Sequence, residues 1–159
     1  MLIDYDDYDR KIYENELKDF LPKKIFDAHV HLFDTTCISA SYEFPSKSCF
    51  QKFGCKFMNE NWQAYMEKLL PEHDIYMNSF GHPELGFNLT NSAIYTGKIS
   101  DNERSFGMAL VSPKDQIEEI KKRMLDNQLV GYKPYLNFVD WKDKNAVTIS
   151  DMLPAEQME

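Results

Sequence analysis

The stretch Ile25-Phe26-Asp27-Ala28-His29-Val30-His31-Leu32 holds the sharpest chemistry in the chain. Read as a β-strand, its side chains alternate between two faces. Asp27, His29 and His31 then share one side, and Phe26, Ala28, Val30 and Leu32 the other. Imidazoles two residues apart on one face can bind a single metal ion, each offering a nitrogen at about 2.0–2.1 Å from zinc. The same spacing also suits a half-exposed strand whose polar face meets water, because two histidines specify little without further ligands. Three later extended runs, separated by helical ones, favour the first alternative. They point to a parallel α/β fold, in whose barrel form the carboxyl ends of the strands line the active site.

The elements that would position these groups follow from apolar period and breakers. Residues 6–20 read as a leader helix with Tyr8, Ile12, Leu17 and Phe20 as its apolar stripe, ended by Pro22. Residues 33–58 keep no period, yet their aromatic content (Tyr42, Phe44, Phe50, Phe53, Phe57) argues for a structured insertion above the histidine face. A helix capped by Asn59 or Asn61 carries Trp62, Tyr65, Met66, Leu69 and Leu70 up to Pro71. The second strand spans 74–80, and the turn Gly81-His82-Pro83-Glu84 places His82 at its carboxyl end, as a substrate or metal contact or as a loop histidine with no catalytic duty. A helix over 88–100, a strand over 105–111 and a helix over 114–127 follow, the last with Ile117, Ile120, Met124 and Leu125 on one face. Residues 129–135 form the fourth strand, on which Leu129, Gly131, Lys133 and Tyr135 share a face. Past Asn137 the chain turns polar; Ser150 or Asp151 reads as a cap with Pro154 just inside a helix start, so the ending reads as a cut through a larger domain.

The run from Phe20 through Leu32, with Phe106-Gly107-Met108-Ala109-Leu110-Val111-Ser112-Pro113 and Val130-Gly131-Tyr132-Lys133-Pro134-Tyr135, resembles the amidohydrolase family of metal-dependent TIM-barrel hydrolases. The resemblance implies a divalent metal, most often zinc, held by His29 and His31 at the barrel mouth, with Asp27 fixing a histidine from behind. It implies hydrolysis, or a related metal-assisted lyase reaction, on a small polar substrate. Lys133 would be a bridging carbamate between two metals, a cation receiving an anionic substrate, or a side chain reaching solvent through the open mouth. A complete eight-unit barrel needs about 250 residues. This chain has 159, so the expected fold is four parallel β/α units forming the first half of such a barrel, in a single partial domain with residues 1–22 as leader. The family's further ligands lie on later strands, so the expectation for these residues alone is weak metal binding and little turnover. A non-catalytic half-barrel that uses its open edge to bind protein is the alternative.

A net charge of −8 argues against a nucleic-acid partner, whose phosphates need a surplus of Lys and Arg. No run is apolar enough to span a bilayer and no export signal opens the chain; Cys37, Cys49 and Cys55 fit no zinc module and read as reduced thiols. A cytoplasmic location is the resulting expectation, with pairing to a second copy or to a missing carboxyl-terminal half-barrel covering the open edge. No glycine-rich phosphate loop or serine nucleophile elbow is present.

Overall fold

A computed structural model describes residues 4–158 of the chain, apart from the side chain of Lys52. Four strands, β1 (Lys24–His31), β2 (Asp74–Phe80), β3 (Ser105–Val111) and β4 (Gly131–Pro134), form one curled parallel sheet in the order β1-β2-β3-β4. The crossovers carry α2 (Asn59–Leu69), α3 (Leu89–Ile99) and α4 (Ile117–Asp126), while α1 (Asp7–Ile12) precedes the sheet and the short α5 (Ile149–Met152) follows it. The α/β class and the four parallel strands are those read from the sequence. No helix among the described residues is long and apolar enough to cross a membrane.

One face of the sheet is covered by helices and the other is the concave face of the half-barrel. Gly107 of β3 marks the covered side, because a Cβ there would meet Thr96 of α3 at 2.8 Å and Ser100, which caps that helix, at 2.7 Å. Residues level with it, such as Ser79, and those two positions away, such as Met77 and Ala109, therefore also face helices. Met77 joins Val30, Leu32, Phe33, Trp62 and Tyr95 in the main core, and Ala109 packs with Ala93 and Leu129. The intervening residues Tyr76, Asn78, Phe80, Met108, Leu110 and Lys133 look into the concave face.

Several expectations are corrected. The leader helix is α-helical only to Ile12 and continues over Tyr13–Leu17 as a π-turn, in which Lys18 N–H donates to Tyr13 O at 2.8 Å. That wider turn rotates Tyr13 inward, to 4% exposure, and leaves Tyr8 and Phe20 on the surface. On α4, Leu125 is 78% exposed. Its expected inward place is taken by Arg123, whose charge is met by Asp115 at 2.8 Å. The cap of α2 is Met58, with Asn61 Oδ1 accepting its N–H at 3.0 Å. The carboxyl-terminal cap is Thr148, three residues before Asp151, and Pro154 opens a separate 3-10 turn over Ala155–Gln157. The leader's first three residues lie outside those described.

The insertion after β1 is structured. Antiparallel bridges tie Phe33 to Phe57 and Ile38 to Phe87, and 3-10 turns cover Thr35–Cys37 and Cys49–Phe53. Its rings pack on one another, Phe33 against Phe50 at 5.0 Å and Tyr42 against Phe44 at 5.1 Å between centroids. Aromatic pairing of this kind supplies a small core that a polar loop lacks.

Candidate active site at the carboxyl ends of the strands

β1 does not keep a strict alternation. Asp27 lies level with Met77 and Val30 level with Ser79, so two residues, Ala28 and His29, oppose the single Asn78. This is a β-bulge, and it changes which face each side chain occupies. Asp27 and Val30 fall on the helix-covered side, while His31, level with Phe80, looks into the concave face. The bulge leaves the His29 N–H without a ladder partner, and Asp27 Oδ1 accepts it at 3.1 Å. The expectation that Asp27 shares the histidines' face and steadies an imidazole is therefore corrected: it steadies the bulge.

The bulge still brings the two histidines together. Their Nε2 atoms lie 3.1 Å apart with ring planes at 67°. Two nitrogens at about 2.0–2.1 Å on one tetrahedral zinc would be about 3.3 Å apart, so the spacing suits a shared ion. His31 Nδ1–H donates to Gly81 O at 2.8 Å. That bond fixes the neutral tautomer and leaves the Nε2 lone pair facing His29. Gly81 can present its carbonyl there because it has no side chain: a Cβ would meet Ser92 Cβ at 2.7 Å. Burial, with further push from His29 and Lys133, holds His31 below the ordinary imidazole pKa.

Lys133 Nζ lies 3.1 Å from His29 Nδ1 and 3.9 Å from the centroid of the Phe80 ring. As an ammonium it donates to Nδ1 and leaves the His29 proton on Nε2; as a neutral amine it accepts from Nδ1–H and frees Nε2 for a ligand. Burial shifts Lys133 toward the neutral form.

Tyr135, just past β4, completes the cluster. Its hydroxyl lies 3.0 Å from His29 Nε2 and 3.3 Å from His31 Nε2. Burial pushes its pKa up to about 12. Sequence reasoning placed Tyr135 on the face of Lys133 without giving it a role; the two-residue spacing was the available signal.

His82 does not reach the meeting point of the Nε2 atoms. Its ring is held among Phe33, Phe50 and Phe87 at 5.5, 4.9 and 5.1 Å, and stands 5.7 Å from His31. Burial lowers its pKa to about 4, so at neutral pH it is an uncharged member of the aromatic core under the insertion. Among the described residues no three His, Cys, Asp and Glu side chains converge as a metal group.

The bulge makes a prediction. Asp27→Ala removes the acceptor of the His29 amide and is expected to cost about 1 kcal/mol of stability, with loss of the cross-ring nuclear Overhauser contact between His29 and His31. Asp27→Asn keeps an oxygen in place and is expected to preserve that contact. If both variants lose it equally, the carboxylate charge and not the bulge bond sets the geometry.

Two imidazoles with one Nε2 lone pair preset, a lysine behind one ring and a phenol before both gather nitrogen and oxygen donors that can hold a cation. No protein-family model, no curated protein and no solved structure matches this chain, so its chemistry is read from these residues.

Proposed function

We propose that this chain is the opening half of a (β/α)8 barrel of the amidohydrolase type, whose metal site uses His29 and His31 in hydrolysis of a small polar substrate. The observation that carries this reading is the 3.1 Å approach of the two Nε2 atoms at the carboxyl end of a parallel sheet. Zinc suits a pair of imidazoles, although other first-row ions accept them as well. When bound, such an ion would supply a water whose pKa falls from 15.7 to about 7. Gly81 O would orient His31, and Lys133 would set the proton on His29 or meet an anionic group of the substrate. Phe33, Phe50 and the rest of the insertion would keep bulk water from one side of the mouth. Any donors beyond those of this chain would come from a carboxyl-terminal half-barrel or a second copy.

The test reads all four imidazoles at once by proton–nitrogen correlation during a zinc titration. His29 and His31 Nε2 are expected to shift together, with His73 and His82 unmoved. No response of the pair at millimolar zinc would overturn the reading. In that case a non-catalytic interaction module is favoured by Phe26, which is 53% exposed beside Phe106 on the concave face.

A further inference from the structure

Three heteroatoms close a nearly equilateral triangle at the mouth of the half-barrel. The sides are 3.1 Å between the imidazole nitrogens and 3.0 and 3.3 Å from these to the Tyr135 oxygen. Hydrogen bonds can occupy two of the three edges, with Tyr135 relaying between the rings, but not all three. His31 Nε2 carries no proton, because its Nδ1–H is committed to Gly81 O. The phenol has one proton and His29 Nε2 at most one, so three edges share no more than two. A single cation above the triangle would use one lone pair from each corner. The edges of 3.0–3.3 Å lie within a few tenths of an ångström of the about 3.3 Å expected for one face of a tetrahedral site with ligands near 2.0 Å, so a small opening of the triangle would seat the ion.

The oxygen is also held in place by the fold. Tyr135 is extended, with φ −139° and ψ 142°, so the residue continues the alternation of β4 and shares the face of Lys133. Its ring packs with the buried Phe80, Leu110 and Phe138. The following 3-10 turn, Leu136–Phe138, turns the chain immediately after it. A ring fixed on both sides can present a ligand at little cost in side-chain entropy.

We propose that Tyr135 is the third protein ligand of this site, so that His29, His31 and Tyr135 form a two-nitrogen, one-oxygen face for a divalent first-row cation. This rests on the reading of the histidine pair as a metal site and adds a phenol oxygen to its two imidazole nitrogens. The phenolic proton leaves to solvent as the oxygen takes the cation, and the fourth position stays open to water or substrate. Three donors from β1 and the end of β4 mean that these four β/α units bind metal without ligands from later strands. The weak binding expected from the histidine pair alone is thereby revised upward.

Ultraviolet difference spectroscopy tests this on the full chain. A phenol keeps its proton at neutral pH in the absence of metal, so a tyrosinate band that grows with added zinc and saturates at one equivalent is the expected result. Tyr135→Phe preserves the packed ring; it is expected to lose the band and to weaken zinc uptake about tenfold or more, while His29 and His31 still shift at higher zinc. Unchanged affinity in Tyr135→Phe, or imidazole shifts in the wild type with no tyrosinate band, would overturn the proposal and leave the histidine pair standing. Imidazoles that do not respond in the wild type would remove the underlying reading instead.

Discussion

His31→Ala is expected to weaken zinc uptake about a hundredfold or more, on the order of 3 kcal/mol, in competition with a chromogenic chelator. His29→Ala is expected to cost less, about tenfold. The asymmetry follows from preparation. In the proposed metal site His31 would meet the cation with its tautomer already set by Gly81 O at 2.8 Å and its ring packed on Phe80 at 4.7 Å between centroids. His29 is more exposed and must first clear its Nε2, a change opposed by Lys133 at 3.1 Å whenever that amine is charged. Part of the His29 interaction is therefore spent on moving a proton. Equal losses in the two variants would show that the Gly81 bond does not prepare His31, and a larger loss for His29→Ala would reverse the assignment.

The strand positions were legible because short runs rich in apolar and aromatic residues are bounded by turn residues and alternate with helical segments. β2 and β3 occupy the residues that their patterns indicate, and β1 and β4 differ only at their ends. The pair His29 and His31 was legible from type and spacing, though the reason given for their convergence was incomplete. Alternation predicted a shared face for Asp27, and a bulge defeats alternation by inserting one residue. Its only sequence sign is a short acceptor two residues before a residue that needs one, a pattern common in strands and turns alike. Arg123 on the inner side of α4 was invisible for a different cause. A helical apolar period assigns charge to the outside, and only Asp115, in the turn that enters α4, supplies the partner that reverses this. Tyr135 lay on the predicted face, but a tyrosine after a strand reads as packing until the opposite edge of the sheet is brought across to it.

That largely buried pair of Asp115 and Arg123 is also a vulnerable point of the fold. Asp115→Ala is expected to destabilise the chain by about 3–5 kcal/mol in urea unfolding, a large share of the roughly 5–15 kcal/mol typical of a domain. Asp115 and Arg123 side chains are 13% and 10% exposed, and their contact is 2.8 Å. Asp115 Oδ2 also accepts the Ser112 N–H at 3.0 Å, while Arg123 Nη1 donates to Leu110 O at 3.2 Å. The pair thus pins the carboxyl end of β3 to α4. Deleting the acid leaves a guanidinium with little water and only a carbonyl for company, whereas Asp115→Ala combined with Arg123→Met removes both charges and is expected to recover much of the loss. If the double variant is as unstable as the single one, shape and not charge holds this corner. The consequence reaches the site through Leu110, which packs under Phe80, the ring that supports both histidines. Loosening β3 in Asp115→Ala should therefore broaden the His29 and His31 imidazole resonances in the folded fraction, even though the substitution touches neither ring.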